Sequence, residues 1–193
     1  MSSIAKTVAI VPYDPAWPAL FEQEARRLRS ELNPRGVHHI GSTGVPGLWA
    51  KPVIDVLVET HDLAEVDRAA PLLEARGYDA RGEYGIPNRR YFSRPAMGPE
   101  PKIHVHCYPA GSPHVARHLR FRDYLRAHPA EAERYGNLKR RLATAHATDA
   151  TAYQAAKKDF INEVESAAER WPLSFLGRRS RPPRSSRAPP ACC

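Results

Sequence analysis

The segment from Val53 to Glu59 carries the strongest strand signal in the sequence and constrains the fold more than any other feature. It is rich in β-branched residues, which pack well on the pleated surface of a sheet. An acidic residue, Asp55, interrupts this apolar run. A buried carboxylate without a partner is costly, so Asp55 must lie at the mouth of a cleft, pair with a base or bind a cation.

Other extended segments predict a sheet around this strand. Lys102 to Tyr108 alternates cleanly, which puts His104 and His106 on one face and the apolar Ile103, Val105 and Cys107 on the other. The remaining predicted strands are Thr7 to Val11, Val37 to Ile40, Tyr78 to Glu83 and Arg90 to Arg94.

Helical spacing of apolar residues predicts a helix that begins at Asp14-Pro15 and one that Asp62 caps. From Ser112 onward the apolar period is helical, with further helix starts at Ser112, Pro129 and Asp149. Trp17 and Trp171 lie on apolar helix faces, so we expect both in the core. The pattern predicts an α/β (α+β) fold with a core over residues 1–111, a helical segment packed on it over residues 112–176, and a tail over residues 177–193.

The 193-residue chain has a formal net charge of +8, but its basic excess is concentrated at one end. The last 17 residues contain no acid and five arginines, namely Arg178, Arg179, Arg181, Arg184 and Arg187. Pro, Ser and Arg dominate this stretch, so we expect a disordered basic tail. Nucleic acid is therefore an expected partner only through the tail, as an electrostatic tether.

Cysteine usage and hydropathy exclude several classes of protein. The three cysteines are Cys107 and the adjacent pair Cys192 and Cys193, which excludes a disulfide framework and a paired Cys-x-x-Cys zinc site. No run approaches the roughly 18 apolar residues of a membrane span, and the first residues lack the apolar stretch of a signal peptide. We therefore expect a cytoplasmic protein without a membrane partner, and its oligomeric state stays open.

A Gly-Ser turn followed by the strand acid is the sharpest local signal for chemistry. Gly41 and Ser42 follow the predicted strand Val37 to Ile40, and Asp55 lies on the next strand. A Gly-Ser end exposes backbone N–H groups and a hydroxyl, which suit a triphosphate oxygen. A neighbouring carboxylate could hold Mg²⁺ beside the same phosphates. The alternative is a tight turn beside a polar strand end.

The stretch from His39 to Asp55 resembles the signature of the GrpB family. Further stretches match that family in order, namely Gly82-Glu83, Arg89 to Phe92, His104 to His106, Phe121 to Arg126, Tyr135 to Lys139 and Tyr153 to Lys157. The resemblance covers residues 8–171. It implies a nucleotidyltransferase fold with a polymerase-β-like mixed sheet and a C-terminal helical segment, and nucleotidyl transfer as an activity assigned mainly by fold.

One position departs from the general nucleotidyltransferase pattern, which has a second carboxylate where this chain has Leu57. A metal site therefore needs other donors. Glu83 is the candidate carboxylate, and His104 and His106 could supply imidazole ligands or a general base. The candidate catalytic residues are Asp55, Glu83, His104 and His106, and the candidate metal ligands are Asp55, Glu83 and His104.

Basic residues on apolar helix faces are candidates for phosphate binding. Lys139 and Lys157 each follow a tyrosine, Tyr135 or Tyr153, by one helical turn. Such a lysine either extends to water or faces an anion. Within Phe121 to Arg126, we expect the charged residues to form a salt bridge between helices. The candidate nucleotide- or phosphate-binding residues are Gly41, Ser42, Thr43, Lys51, Arg89, Arg90, Lys139, Tyr153 and Lys157.

These features predict a metal-dependent nucleotidyltransferase that uses Mg²⁺ (or Mn²⁺) as cofactor and a nucleoside triphosphate as substrate. Its partner is a small-molecule or other acceptor, whose hydroxyl or amine attacks the α-phosphorus. Two alternatives stay open. Leu57 permits a degenerate nucleotide-binding or regulatory module without catalysis. His104 and His106, with His39 as a third ligand, permit a histidine-metal enzyme that uses a transition metal.

Overall fold

The computed structural model describes residues 8–98 and 100–172, and this part of the chain contains a five-stranded mixed sheet. The strands are β1 Gly36–Ile40, β2 Val53–Thr60, β3 Asp79–Ala80, β4 Arg90–Arg94 and β5 Lys102–Pro109. Their spatial order is β1-β2-β5-β4-β3. β2 and β5 pair in parallel, whereas the other neighbouring strands pair antiparallel. The predicted basic tail and its two cysteines lie outside the described residues.

Six α-helices accompany the sheet in residues 8–98 and 100–172. They are α1 Trp17–Leu32, α2 Leu63–Ala75, α3 Pro113–Ala127, α4 Pro129–Ala145, α5 Ala150–Ala156 and α6 Lys158–Arg170. The mixed α/β class and the C-terminal helical segment are confirmed. None of the helices described is both long and apolar enough to cross a membrane.

β2 divides its side chains between the two faces of the sheet. Ile54, Val56 and Val58 are fully buried and belong to a core that includes Leu28 of α1 and Leu73 of α2. Burial of each such side chain contributes about 1.5–3 kcal/mol. Because successive side chains of a strand alternate, Asp55 lies on the opposite face.

The opposite face of the sheet packs against the C-terminal helices. Ile40, Leu57 and Tyr108 form a buried cluster there with Val115 of α3. Leu57 is 0% exposed. The position that holds a second carboxylate in the general nucleotidyltransferase pattern is therefore a core position in this protein.

Side-chain caps fix most of the helix starts. Asp62, Ser112 and Asp149 each accept a backbone N–H two residues further on, as the sequence predicts. These bonds satisfy donors that the first turn of a helix leaves free. The first helix begins later than predicted, at Trp17, because the carboxylate of Asp14 caps the turn before it. Trp17 is buried, as expected.

Two predicted elements are wrong in extent. Of the predicted strand Tyr78 to Glu83, only Asp79–Ala80 is regular strand. Arg81 and Gly82 still form backbone hydrogen bonds with Tyr91 of β4, and the chain then turns, with left-handed backbone at Tyr84 (φ 45°) and Asn88 (φ 59°). The helix predicted from Asp149 is divided into α5 and α6.

Two predicted positions near the ends of the chain also differ. Trp171 follows α6 as its C-cap and is half-buried, with its ring edge-on to those of Tyr124 and His128, so it lies at the margin of the core. Val11 forms an isolated bridge with Ala50 instead of a strand, and the start of the predicted strand at Thr7 lies outside the described residues.

Candidate functional site

Asp55, His104 and His106 meet on the sheet face that packs against the C-terminal helices. The parallel register of β2 and β5 places Asp55 beside His104, and strand alternation places His106 on the same face. His104 Nδ1 lies 3.1 Å, and His106 Nε2 3.7 Å, from Asp55 Oδ1. Among the residues that the structure describes, these three are the one His/Cys/Asp/Glu group whose donor atoms lie within 4.8 Å of one another.

The two imidazoles determine the charge state of Asp55. Burial would raise the pKa of Asp55, but the hydrogen bonds from His104 and His106 and the electrostatic interaction with both rings outweigh burial and hold that pKa well below its usual range. Asp55 is therefore a carboxylate at neutral pH. On the far side of each ring, His104 Nε2 and His106 Nδ1 are buried and have no hydrogen-bond partner in the described part of the chain.

Two aromatic residues that the sequence does not reveal enclose the histidines. The ring of Tyr91 lies 5.5 Å from that of His104 and 5.1 Å from that of His106, measured between centroids. His118 of α3 lies 6.0 Å from His106, and burial, followed by the charge of Arg117, lowers the pKa of His118 to about 3. Tyr91 is paired with His106 in the register of β4 and β5, so knowledge of that register would have predicted the contact. The sequence of a single strand does not show which strand it pairs with.

Gly41 brings the backbone of the Gly-Ser turn against the carboxylate of Asp55. Its φ of 67° and ψ of −170° lie in a region that is essentially restricted to glycine. A Cβ atom at this position would collide with Asp55 Oδ2. We call Asp55, His104 and His106 the Asp55 cluster. The turn thus begins against the carboxylate of this cluster, and Ser42 is the next residue along the chain.

Thr43, a predicted phosphate ligand, uses its hydroxyl within the protein. It is 1% exposed, donates to Val53 O at 2.9 Å and lies 3.0 Å from His39 Nε2. His39 stacks on Phe21 of α1, with ring centroids 4.7 Å apart, and burial is the main cause that lowers the pKa of His39 to about 4. The structure thus places His39 on the other face of the sheet, away from His104 and His106.

Three lysines lie close enough together for their charges to interact, and one of them contacts Ser42. Lys139 of α4 donates to Ser42 Oγ at 2.8 Å. The ammonium groups of Lys51 and Lys157 each lie 4.6 Å from the centre of the Tyr153 ring. We call Lys51, Lys139 and Lys157 the lysine cluster. None of the three forms an ion pair with an acid in residues 8–98 or 100–172.

Burial and a neighbouring positive charge lower the pKa of each lysine in the cluster. Burial, with the charge of Lys157 as a further cause, lowers the pKa of Lys139 to about 6. Burial and then the charge of Lys51 lower the pKa of Lys157 to about 8. The pKa of Lys51 is also lowered, by burial and then by Lys102. An anion that enters the cluster would favour the protonated form of each amine and would then be attracted by all three positive charges.

Arginines of α3 hold the strand end and the turn in place. Arg122 donates to His39 O at 3.1 Å, and Arg126 donates to Gly44 O at 2.8 Å. Asp123 pairs with Arg122, its neighbour on the same helix. The salt bridge between helices that we expected is therefore wrong: Arg122 binds a backbone carbonyl at the end of β1 and Arg126 binds one in the Gly-Ser turn.

Three predicted site residues lie elsewhere. Glu83 is exposed, and its carboxylate accepts the N–H of Asn88. Arg90 forms a two-pronged ion pair with Asp67 of α2, on the other face of the sheet. Arg89 is buried and donates to backbone carbonyls at the tip of the loop before β4. The structure therefore does not bring Glu83 to Asp55, or Arg89 and Arg90 to the lysine cluster.

The mixed sheet, with an acid on β2 and a Gly-Ser turn after β1, defines a nucleotidyltransferase-like fold. The family model described as GrpB protein matches residues 7–167, and the chain belongs to the GrpB family. The conserved protein GrpB from Enterococcus faecalis has a similar structure, with a TM-score of 0.77 and 42% identity, covering 83% of this chain and 96% of that one.

Two curated relatives are also similar along most of the chain. UPF0157 protein YqkA of Bacillus subtilis is 40% identical over 168 residues, which are 86% of this chain but 48% of that relative, so the chain spans about half its length. UPF0157 protein BH1888 of Halalkalibacterium halodurans is 38% identical over 165 residues, covering 84% of this chain and 83% of that protein.

The donor atoms indicate which cation the Asp55 cluster fits. Mg²⁺ prefers oxygen ligands, as the paired carboxylates of the general nucleotidyltransferase pattern provide. Here the donors are one carboxylate and the two imidazoles of His104 and His106. Mn²⁺ and Zn²⁺ accept both kinds of ligand. Of the two cations expected from the sequence, Mn²⁺ therefore fits these residues better than Mg²⁺.

Proposed function

We propose that this protein is a nucleotidyltransferase that binds a nucleoside triphosphate at the lysine cluster and transfers its nucleotidyl group to a small-molecule acceptor. The single observation that carries the proposal is the meeting of Lys51, Lys139 and Lys157 without an acidic partner among the described residues. A triphosphate supplies the negative charge that this arrangement lacks. Family membership and the nucleotidyltransferase-like fold support the same activity.

In the reaction, an acceptor hydroxyl or amine forms a bond to the α-phosphorus. The bond from that phosphorus to its bridging oxygen breaks, pyrophosphate leaves with the electron pair, and the acceptor proton is released to water. The lysine cluster stabilises the charge that builds up on the leaving group, and Ser42 with the turn backbone positions the phosphates. A divalent cation bound by Asp55 would neutralise further phosphate charge.

Thermal denaturation with and without nucleotide tests the binding step. A nucleoside triphosphate at about 100 times its Kd, with Mn²⁺, should stabilise the protein by about 2.7 kcal/mol. Lys139→Met should abolish this stabilisation, since the ammonium group beside Ser42 is lost. Lys158→Met is the matched control, because Lys158 is an exposed neighbour of the cluster. A wild-type response in Lys139→Met, or no response in the wild type, would contradict the proposal.

Pyrophosphate release tests the chemistry separately. Release that depends on both a divalent cation and an added hydroxyl or amine acceptor supports nucleotidyl transfer. A second candidate function rests on Leu57, which is buried where the general pattern has an acid. Nucleotide binding without pyrophosphate release for a broad set of acceptors would favour that candidate, a nucleotide-binding module without catalysis.

A further inference from the structure

The three donors of the Asp55 cluster are held by paired strands, without help from a loop. β2 and β5 are neighbours in the sheet, and their register pairs Asp55 with His104 directly. Tyr91 on β4 packs against both imidazole rings. The side chains of Asp55, His104 and His106 are about one quarter exposed or less (25%, 23% and 15%). The donors are thus positioned before any ligand arrives.

The spacing of the donors matches the coordination sphere of one cation. Bonds of about 2.1 Å separate two ligand atoms by about 3.0 Å at a right angle and by about 3.4 Å at a tetrahedral angle. The observed separations from Asp55 Oδ1 are 3.1 Å to His104 Nδ1 and 3.7 Å to His106 Nε2. All three donor atoms lie within 4.8 Å of one another. Small adjustments of the side chains would therefore bring them within bonding distance of one ion.

The protonation pattern that metal binding requires is available. A ligating imidazole must be neutral and must keep its single proton on the nitrogen that faces away from the metal. A cation bound here replaces the proton through which each ring hydrogen-bonds to Asp55. The proton that each ring keeps then lies on His104 Nε2 or His106 Nδ1, which face no other polar group among the described residues. His104 Nδ1 and His106 Nε2, which face Asp55, are then free to bind a cation.

We infer that Asp55, His104 and His106 form a binding site for a single first-row transition-metal dication, which takes Zn²⁺ and Mn²⁺ in preference to Mg²⁺ and fills without nucleotide. Two imidazoles and one carboxylate are typical ligands of these cations, whereas Mg²⁺ is bound mainly through oxygen. The inference goes beyond the proposed function, because it rests on different atoms from the lysine cluster and requires no triphosphate.

Calorimetric titration of the metal-free, full-length chain with Zn²⁺, Mn²⁺ or Mg²⁺ alone tests the inference. The chain carries Cys192→Ser and Cys193→Ser, because adjacent thiols could bind zinc independently. We expect one Zn²⁺ or Mn²⁺ per chain and affinity for Mg²⁺ weaker by about 100-fold or more. Asp55→Asn, His104→Gln and His106→Gln should each weaken Zn²⁺ binding by about tenfold or more.

His38→Gln is the matched control. His38 Nε2 on β1 contacts Glu59 Oε1 on β2 at 2.6 Å, and no third donor joins this histidine-carboxylate pair in the part of the chain that the structure describes. This variant should bind Zn²⁺ as the wild type does. Circular dichroism and thermal denaturation establish that each variant is folded. Should one ligand variant not fold, the other two variants provide the test. Binding of Mn²⁺ to the unsubstituted site can also be measured independently, because the electron paramagnetic resonance signal of free Mn²⁺ decreases when the ion binds.

Three outcomes would overturn the inference: no cation bound by the folded wild type, Mg²⁺ bound as tightly as Mn²⁺, or Zn²⁺ binding unchanged in both histidine variants. Failure of the proposed function has a different signature. In that case the cations bind as expected, whereas triphosphates do not stabilise the protein, or stabilise Lys139→Met as much as the wild type.

Discussion

Gly41 is the residue at which the turn comes closest to the Asp55 cluster, and its backbone conformation and its neighbour both require glycine. Gly47 is a natural comparison, because it also has a positive φ, 77°, but has open space where a Cβ would lie. A substitution at Gly47 tests the effect of the positive φ alone, whereas one at Gly41 also adds the collision with the carboxylate.

We expect Gly47→Ala to lower the free energy of unfolding by about 1–2 kcal/mol, the cost of a left-handed conformation. Gly41→Ala should cost about 1–3 kcal/mol more, since the new methyl group collides with Asp55. It should also weaken Zn²⁺ binding, which Gly47→Ala should not. Urea denaturation and the metal titration measure the two effects, and equal costs at both glycines would refute the close contact.

Lys139 gives a pH dependence with a defined sign. Its pKa falls from 10.5 to about 6 on folding, chiefly through burial. Between these values the unfolded chain binds more protons than the folded one, so this residue makes stability rise with pH. At neutral pH the native state therefore carries a penalty from Lys139 that removal of the amine would relieve.

Lys139→Met should raise the free energy of unfolding at pH 7 by about 1–3 kcal/mol. The full pKa shift would correspond to about 1.4 kcal/mol per unit, but part of this gain is offset because the hydrogen bond to Ser42 is lost. The gain should be largest near pH 6 and shrink toward pH 10. Urea denaturation across this range measures it. A gain in stability that does not change with pH would show that the gain does not come from removing the titration of Lys139.

At the scale of elements, α3 acts as a brace for the turn between β1 and β2. Arg122 and Arg126 reach from one helix to two backbone carbonyls, His39 O and Gly44 O. Guanidinium groups suit this role because they remain charged and donate several hydrogen bonds in a fixed plane. The brace links the helical segment to the position of Ser42.

Arg126→Ala should loosen this turn while leaving the sheet intact. Loss of one charge-assisted hydrogen bond, about 1.5–3 kcal/mol, should increase amide hydrogen exchange in residues 41–45 by about tenfold or more. Arg117→Ala is the matched control, since Arg117 pairs with Glu165 on the same helical segment. Similar exchange in the turn of both variants would mean that Arg126 does not restrain it.

At the scale of the whole molecule, the candidate site lies between two layers. The sheet supplies Asp55, His104 and His106, and the segment after β5 supplies Lys139, Tyr153 and Lys157. The two layers meet through the cluster of Leu57, Tyr108 and Val115. The sequence of residues 177–193 has no apolar periodicity.

Deletion of residues 177–193 should therefore leave the melting temperature within about 2 °C of the full chain, since surface changes remote from packed groups have small effects. Nucleotide and metal binding should also be unchanged. If the tail tethers RNA, its deletion should remove the salt-dependent part of RNA binding. A fall of many degrees in melting temperature would show that the tail packs on the fold.

Local patterns in the sequence were sufficient for most of the elements and for part of the site. Alternation predicts which face His104 and His106 share, and capping residues such as Asp62 and Ser112 predict where helices begin. The acid in an apolar strand predicts a polar partner for Asp55, which the structure supplies in His104 and His106. These properties depend on neighbours a few residues apart, because side-chain direction and capping are decided within one or two turns or strand residues.

Only the tertiary structure decided which of these side chains meet. Asp55 and His104 are 49 residues apart, and Ser42 and Lys139 are 97 apart, so their contact depends on strand register and helix packing. The same long-range contacts take Arg90 to Asp67 and leave Glu83 exposed. A charged side chain binds whichever partner the fold brings within reach, and local sequence carries no record of that distance.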